Sequence, residues 1–160
     1  MFRIYQGDSV VAEGESPLAI TGIAPNTSVP AGEYQATRVE DDRESERVDI
    51  PAFTTLPIAV TGVSVSPQTS TAEAGTAGSR QLTVTIEPEN ATNKNVTYNI
   101  TPSATGLSVS DTGRIEWTEE TPANVYVTEV KTEDGGHTAT HSLTLTEPEP
   151  EEPTDPEDGE

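Results

Sequence analysis

The sequence of 160 residues contains no cysteine, few basic side chains and few aromatic rings. The absence of cysteine excludes a disulfide framework, a thiolate metal site and a cysteine nucleophile. Only 8 basic side chains stand against 28 acidic ones, which gives a formal net charge of −20. Phosphate backbones and anionic lipids repel so acidic a surface. The composition therefore argues against a nucleic-acid partner and against attachment to a membrane surface.

Long hydrophobic runs are also missing. No apolar stretch reaches the length of about 18 residues that a transmembrane helix needs, and the first residues, MFRIYQG, contain no run typical of a signal peptide. We therefore expect no membrane insertion, and a chain that stays where it is made or leaves by a route other than secretion. Hydrophobic residues make up 31% of the chain and aromatic residues 4%, so its core is expected to be thin.

The carboxyl end has a composition of its own. Residues 147–160 read EPEPEEPTDPEDGE, with eight acids, four prolines and no apolar side chain. Such a segment buries too little surface to offset the entropy of ordering it, and its charges repel one another. The sequence predicts a disordered acidic tail over residues 147–160.

Short alternation of apolar and polar residues recurs through the rest of the chain. Clear examples are Leu82–Ile86, Val96–Ile100 and Ala139–Leu145. The segment from Val125 to Thr132 leads into Glu-Asp-Gly-Gly at 133–136, a strong hairpin signal because glycine supplies the positive φ that such turns need. This pattern, without helical periodicity, predicts an all-β chain with a Greek-key sandwich or barrel.

The first sixty residues follow the same pattern in a separate, smaller block. Alternating segments on either side of Gly7-Asp8 predict a hairpin. Further strands are predicted at Leu18–Ile20, Glu33–Val39 and Arg47–Ile50. Prolines at both ends of residues 51–57 favour a linker. We therefore divide the chain into a β module (1–50), a linker (51–57), a second domain (58–146) and the tail (147–160).

The second domain contains a series of characteristic segments: IAVTGVSVSP at 58–67, QLTVT at 81–85, PENATNKNVTY at 88–98, DTGRI at 111–115 and TEDGGHTAT at 132–140. In their order and spacing these segments resemble a group 2 bacterial immunoglobulin-like domain. It implies an immunoglobulin-like Greek-key β-sandwich. Tyr98 stands where that family usually has tryptophan, and Trp117 stands where a smaller residue is usual, so we interpret the pair as an exchange of size within one core.

The first module is similar to the later strands of a fibronectin type III domain. The similarity rests on residues 2–13, 20–27, 32–35 and 44–48. The first two strands of that fold have no counterpart, so the module is expected to be a truncated one with an uncovered edge or face. A partner could complete it. We therefore expect Phe2, Ile4, Val10 and Val11 to form a docking surface.

The combination of the two modules resembles small accessory structural proteins of tailed bacteriophages. That resemblance implies a non-enzymatic decoration protein present in many copies on the virion surface and assembled in the host cytoplasm. The first module would dock on a capsid, neck or tail protein, and the immunoglobulin-like module would bind host surface glycans weakly. Two alternatives stay open: a fragment of a bacterial cell-surface adhesin or spacer, and a carbohydrate-binding module.

Candidate ligand sites are few. His137 and His141 would lie about 13 Å apart on one face of a strand, too far to share one metal ion, so we interpret them as solvated histidines. The acids among residues 40–46 are interrupted by arginines and lack a calcium-loop pattern, so a solvated turn is favoured. We expect no metal, no cofactor and no catalytic residues.

Aromatic rings are the remaining candidates for a binding surface, because amphipathic rings often stack on sugars. Tyr98 and Trp117 occupy alternating strand positions and are predicted to lie in the core. Tyr126 is out of phase with Val125 and Val127. We therefore name Tyr126 as the candidate glycan contact.

Overall fold

The structure is a computed structural model, which describes residues 1–149. The predicted tail over 147–160 lies outside the described residues, except for 147–149, which form no strand. Residues 1–149 are all β, as predicted from the alternating patterns, and contain no helix long and apolar enough to span a bilayer. They form two compact units, Met1–Ile58 and a second that begins at Ala59.

The first unit contains seven strands: β1 (Phe2–Gln6), β2 (Ser9–Gly14), β3 (Ser28–Val29), β4 (Tyr34–Glu40), β5 (Arg43–Glu44), β6 (Val48–Asp49) and β7 (Phe53–Thr54). Strand β1 lies between β2 and β4, and both β5 and β6 pair with β4. Gly7, with a φ of 58°, turns the chain from β1 into β2. The hairpin predicted around Gly7-Asp8 is therefore present.

The core of the first unit is small. Ile4, Val29 and Tyr34 are buried, and partly buried apolar side chains from the neighbouring loops and strands pack against them. The rings of Tyr34 and Phe53 lie 6.4 Å apart, centre to centre. Leu18 and Ile20 also pack there, but the strand predicted at Leu18–Ile20 is wrong, since the structure has no strand in that segment.

The segment expected to be a linker differs from the expectation in its middle part. Phe53 and Thr54 form β7, which pairs with β3. The Thr55 hydroxyl donates to the carbonyl of Ala24 at 2.7 Å. The physical reason is that Phe53 is a large apolar side chain, and it is stabilised by packing into the first core rather than by remaining in solvent.

The second unit contains nine strands within the described residues: β8 (Gly62–Ser66), β9 (Thr69–Glu73), β10 (Gly78–Gln81), β11 (Thr83–Glu87), β12 (Val96–Thr101), β13 (Ser108–Val109), β14 (Arg114–Trp117), β15 (Asn124–Thr132) and β16 (Thr138–Thr146). One sheet has the order β12-β15-β16-β9, with β9 parallel to β16. Strands β10, β14 and β13 form a second sheet and β11 pairs with β8, and side chains from both groups pack in one core with those of β15 and β16. This is the immunoglobulin-like sandwich that the sequence predicts.

The core of the second unit lies between these layers. Ile115 and Trp117 of β14 face Tyr126 and Val130 of β15, and all four are almost fully buried. From Val125 to Thr132, strand β15 alternates between exposed and buried residues, because the side chains of Tyr126, Thr128, Val130 and Thr132 point into the sandwich. Gly135 and Gly136 both have positive φ and form the turn that joins β15 to β16.

The proposed exchange of size between Tyr98 and Trp117 agrees with the packing. Trp117 is buried and Tyr98 is half-buried against the same core. Each ring covers a glycine: a Cβ at Gly78 would lie 2.4 Å from the Trp117 ring, and a Cβ at Gly113 would lie 2.8 Å from the Tyr98 hydroxyl. Glycine is needed at these two positions because the rings occupy the space of a side chain.

Candidate functional site

The candidate site is the outer edge of the first sheet, which strand β2 forms. Within the described residues β2 pairs with β1 alone, so its other side offers unpaired backbone groups. An edge of this kind can accept a strand from another chain, with main-chain hydrogen bonds supplying affinity. The free edge of this sheet is therefore Ser9–Gly14, the strand that carries the predicted docking residues Val10 and Val11.

Two exposed valines lie on this edge. Val10 is 46% exposed and Val11 is 43% exposed. The register between β1 and β2 shifts between Ile4 and Tyr5, so that Val11 is an extra residue between the partners of these two positions. Such a bulge bends an edge strand and restricts the strands that can pair with it. The edge is thus apolar and available, with a shape that limits indiscriminate pairing.

The two docking residues predicted on β1 are placed differently. Ile4 is only 6% exposed and belongs to the core of the first unit, so its prediction as a contact is wrong. Phe2 is half-buried on a strand that pairs on both sides. The physical reason is that β1 is an inner strand, and its apolar side chains are used to build the core.

A polar network supports β2 on the outer face of the sheet. The Arg3 Nε donates to Glu13 of β2 at 2.7 Å, and its Nη1 lies 3.3 Å from Glu44. The phenol of Tyr5 donates to Glu44 Oε1 at 2.7 Å, and the Thr37 hydroxyl donates to the same oxygen at 2.6 Å. Four strands are therefore joined through one arginine and one glutamate.

The same network shifts three pKa values. Hydrogen bonds from Thr37 and then Tyr5, together with the charge of Arg3, lower the pKa of the Glu44 carboxyl. The bond to Glu44 raises the pKa of the Tyr5 phenol, and the bond to Glu13 raises that of the Arg3 guanidinium. Because Glu44 is held as a carboxylate, the network is complete at neutral pH.

Arg47 covers the remaining surface of Tyr5. Its guanidinium carbon lies 4.0 Å from the centre of the Tyr5 ring, and its Nη1 donates to the carbonyl of Gly7 at 2.7 Å. This contact combines a cation–π interaction with a bond to the β1–β2 turn. Arg47 therefore also stabilises the turn that precedes β2.

The acidic residues 40–46 do not form a metal site in the structure. Asp41 and Asp42 have positive φ and form an exposed turn between β4 and β5. Glu44 points instead into the network around Arg3. Within residues 1–149 no three ligating side chains come together.

The prediction of Tyr126 as a glycan contact is wrong. Tyr126 is 1% exposed, and its hydroxyl donates to the carbonyl of Pro122 at 2.9 Å. Val125 and Val127 are the exposed residues of this strand, at 48% and 39%. Since neighbouring residues of a strand face opposite sides, the exposed valines place the Tyr126 ring inside the sandwich.

The histidines are not simple solvated side chains either. His141 is fully buried, with Nδ1 at 2.7 Å from the Pro67 carbonyl and Nε2 at 3.0 Å from the Ser70 hydroxyl. A serine, a histidine and an acceptor also occur in nucleophilic sites. Here the acceptor is an uncharged carbonyl and the imidazole has no access to solvent. The arrangement therefore serves as a structural bridge from β16 to β9, through Ser70, and to Pro67 between β8 and β9.

His137 makes a related contact with the first residues of the second unit. Its Nε2 lies 3.1 Å from the Val60 carbonyl, while Asp134 accepts from the Val60 amide at 2.8 Å. The β15–β16 turn thus binds both polar groups of one buried residue. The interpretation of His137 as a solvated histidine is incomplete for this reason.

The sequence is similar to part of a phage protein. No protein-family model matches the chain. An "Ig-like virion protein" of Serratia phage KSP90 is 38% identical over 93 residues, which cover 58% of this chain. The matched region spans 34% of the relative's length, so this chain corresponds to about a third of that protein.

Two solved structures show a distant likeness to this chain. Domains 1–6 of the surface layer protein SbsC align with a TM-score of 0.47 and 13% identity, covering 93% of this chain and 20% of that one. The fibronectin(III)-like modules of Clostridium thermocellum CbhA align with a TM-score of 0.35 and 14% identity, covering 91% of this chain and 77% of that one.

Proposed function

We propose that the chain is a non-enzymatic structural protein of a bacteriophage particle, attached through its first unit. The observation that supports a virion role is the 38% identity to the Ig-like virion protein. This observation also favours the virion role over an adhesin or a carbohydrate-binding module, because the related sequence is that of a virion protein.

Attachment is proposed to occur by strand addition at β2. The support is geometric: β2 has a free side and exposes Val10 and Val11. The ion pair between Arg3 and Glu13 joins β2 to β1. A capsid, neck or tail protein that offers an extended segment would continue the sheet at a spacing of about 4.8 Å. Its side chains would contact the two valines.

The acidic second unit is proposed to be displayed on the particle surface in many copies. Residues 59–149 contain twelve acidic and four basic side chains. Like charges on neighbouring copies oppose non-specific aggregation in a dense array. With Tyr126 buried, no residue of this unit is assigned to a glycan.

The docking proposal is tested by adding charge to the edge of the full-length chain. Lysine on an edge strand opposes pairing with another strand. We expect the double substitution Val10→Lys and Val11→Lys to reduce incorporation into purified particles by at least about tenfold, the equivalent of about 1.4 kcal/mol. Incorporation is measured by quantitative mass spectrometry against the major capsid protein.

The matched control is Val48→Lys, which adds the same charge at a valine that is 66% exposed and lies on β6 rather than β2. Circular dichroism establishes that each variant retains its β structure. Undiminished incorporation of the folded double variant would overturn docking through β2. Absence of the unaltered chain from purified particles would overturn the virion role itself.

A further inference from the structure

The outer face of the sheet β12-β15-β16-β9 has an uncharged zone in an otherwise acidic protein. Cross-strand partners in a sheet lie on the same face. One row of outward-facing partners runs across all four strands and contains no charge: Thr101, Val127, Ser142 and Thr69. The next row, on three strands, is also uncharged: Val125, Thr144 and Thr71.

Charged side chains border this zone at both ends. The row on one side contains Glu129, opposite Asn99 and Thr140. The row on the other side pairs Thr146 with Glu73. We name the seven residues of the two uncharged rows the Thr/Val face. Its width across four strands is about 14 Å, at about 4.8 Å per strand spacing.

Exposed apolar surface in the second unit is concentrated on this face. Among the described residues from Ala59 onward, Val125 and Val127 are the large hydrophobic side chains with high exposure, 48% and 39%. They are two residues apart on one strand, so they lie side by side on one face. Single exposed valines are ordinary on a protein surface, but these two lie together in the part of the sheet that carries no charge.

We propose that the Thr/Val face binds a second copy of this chain, face to face. The first argument is charge. Each copy has a formal charge of −20, so most surfaces of two copies repel one another, and contact costs least where acidic side chains are absent. A partner attracted to the chain by opposite charge would bind elsewhere, because this face offers it no carboxylate.

The second argument is self-complementarity. A hydroxyl group both donates and accepts hydrogen bonds, so a surface of threonine and serine can pair with an identical surface. A carboxylate surface cannot. A two-fold axis through the face brings the same patch of both copies together, and it places the central valines of the two copies against each other.

The size of the face sets the strength of the interaction. The two rows lie about 7 Å apart along the strands, so the interface is much smaller than the roughly 1,200 Å² that a stable complex buries. Association is therefore weak in solution. It becomes effective where other contacts hold copies close together, because proximity raises the effective concentration. The inference does not depend on attachment through β2.

The experiment uses the isotope-labelled full chain in solution. Amide chemical shifts are recorded by NMR at protein concentrations from about 20 μM to about 1 mM, the upper limit being where an affinity of about −4 kcal/mol becomes visible. We expect concentration-dependent shifts on β15, β16 and β9. Sedimentation velocity at the same concentrations reports the mass of the associated species.

Charged substitutions at the centre of the face test the geometry. Val127→Asp and Val127→Lys each place like charges against each other in a symmetric pair, and each should weaken self-association by at least about tenfold. Mixing the two variants places opposite charges together and should restore association. Val48→Asp and Val48→Lys, at an exposed valine of the first unit, serve as controls and should change nothing.

Four outcomes would overturn the proposal. They are shifts that do not depend on concentration, shifts confined to other strands, and a mixture of the two Val127 variants that associates no better than either alone. The fourth is a face that responds to a neutral oligosaccharide such as maltohexaose but not to dilution, which would assign it to a sugar. Restored association in the mixture, mapped to β15 and β16, would establish the symmetric contact.

Discussion

His141 offers the sharpest test of how the second unit is held together. Its imidazole is fully buried and bonds the Pro67 carbonyl and the Ser70 hydroxyl. The substitution His141→Leu keeps most of the volume and removes both bonds. Because Pro67 and Ser70 are half-buried, each lost partner costs the lower end of the usual range, about 1 kcal/mol. We expect a loss of about 2 kcal/mol in the free energy of unfolding.

His141→Ala adds the cost of an empty space to the lost bonds. An unfilled volume of about 60 Å³ at about 24 cal/mol per Å³ adds about 1.4 kcal/mol. The expected total is therefore about 3.5 kcal/mol. The difference between the leucine and alanine variants measures packing alone, and the difference between the unaltered chain and the leucine variant measures the hydrogen bonds.

Urea unfolding followed by the fluorescence of Trp117 is the appropriate assay. Trp117 is the only tryptophan and lies in the core of the second unit. With a denaturant dependence of about 1 kcal/mol per molar urea, His141→Leu should lower the midpoint by about 2 M. Thr140→Ala, on the exposed side of the same strand, is the control and should shift it by less than about 0.5 M. An unchanged midpoint for His141→Leu would refute the structural role of the bridge.

Three further predictions concern packing and charge. Gly113→Ala and Gly75→Ala both place alanine at a φ near +80°, but only at Gly113 would the new Cβ meet the Tyr98 ring. Calorimetry should therefore show that Gly113→Ala lowers the free energy of unfolding by at least about 1 kcal/mol more than Gly75→Ala does. Equal losses of stability in the two variants would contradict the packing. The pKa of Glu44 is lowered in the folded state. Its contribution to stability is therefore present above the ordinary carboxyl pKa and is lost as the pH falls through the folded-state pKa. Glu44→Gln should make the thermal unfolding temperature of the first unit less dependent on pH in the acidic range, and an identical pH profile would refute this. Tyr126→Phe removes the bond to Pro122 and should destabilise the second unit by about 1 kcal/mol, while leaving any sugar binding unaltered in a glycan array, because the ring is buried.

The local strand pattern was predictable because alternation is a property of neighbouring residues. The hairpin around Gly7-Asp8 and the long pair β15–β16 follow from turn glycines and period-two patterns. The order of strands in the sheet was not predictable in the same way. Apolar alternation on β1 and β2 does not reveal that β1 is an inner strand, so the pattern predicts Ile4 on a docking surface, whereas Ile4 belongs to the core.

The two misassigned polar rings show a signal that the local pattern did contain. Tyr126 lies between two valines, which leaves its direction ambiguous, but Glu129 and Lys131 are in phase with Val125 and therefore mark the solvent side. His141 is similarly in phase with Leu143 and Leu145. Reading the full length of each strand, rather than three residues, places both side chains inside.

The spacing of residues in the sequence does not predict the polar network around Arg3 and Glu44. Arg3 is far from Thr37 and Glu44 in the chain, and the three residues meet because β1, β4 and β5 are neighbours in the sheet. The middle of the expected linker is a similar case, since the prolines at its ends are visible in the sequence but the core position of Phe53 depends on tertiary contacts.

Cryo-electron microscopy of intact particles, at a resolution that separates strands, would show directly whether the chain attaches to a virus particle by strand addition at β2. We expect an extended segment of a capsid, neck or tail protein about 4.8 Å from Ser9–Gly14, continuing the sheet of the first unit. A particle that holds the chain by any other surface, with β2 facing solvent, would contradict it.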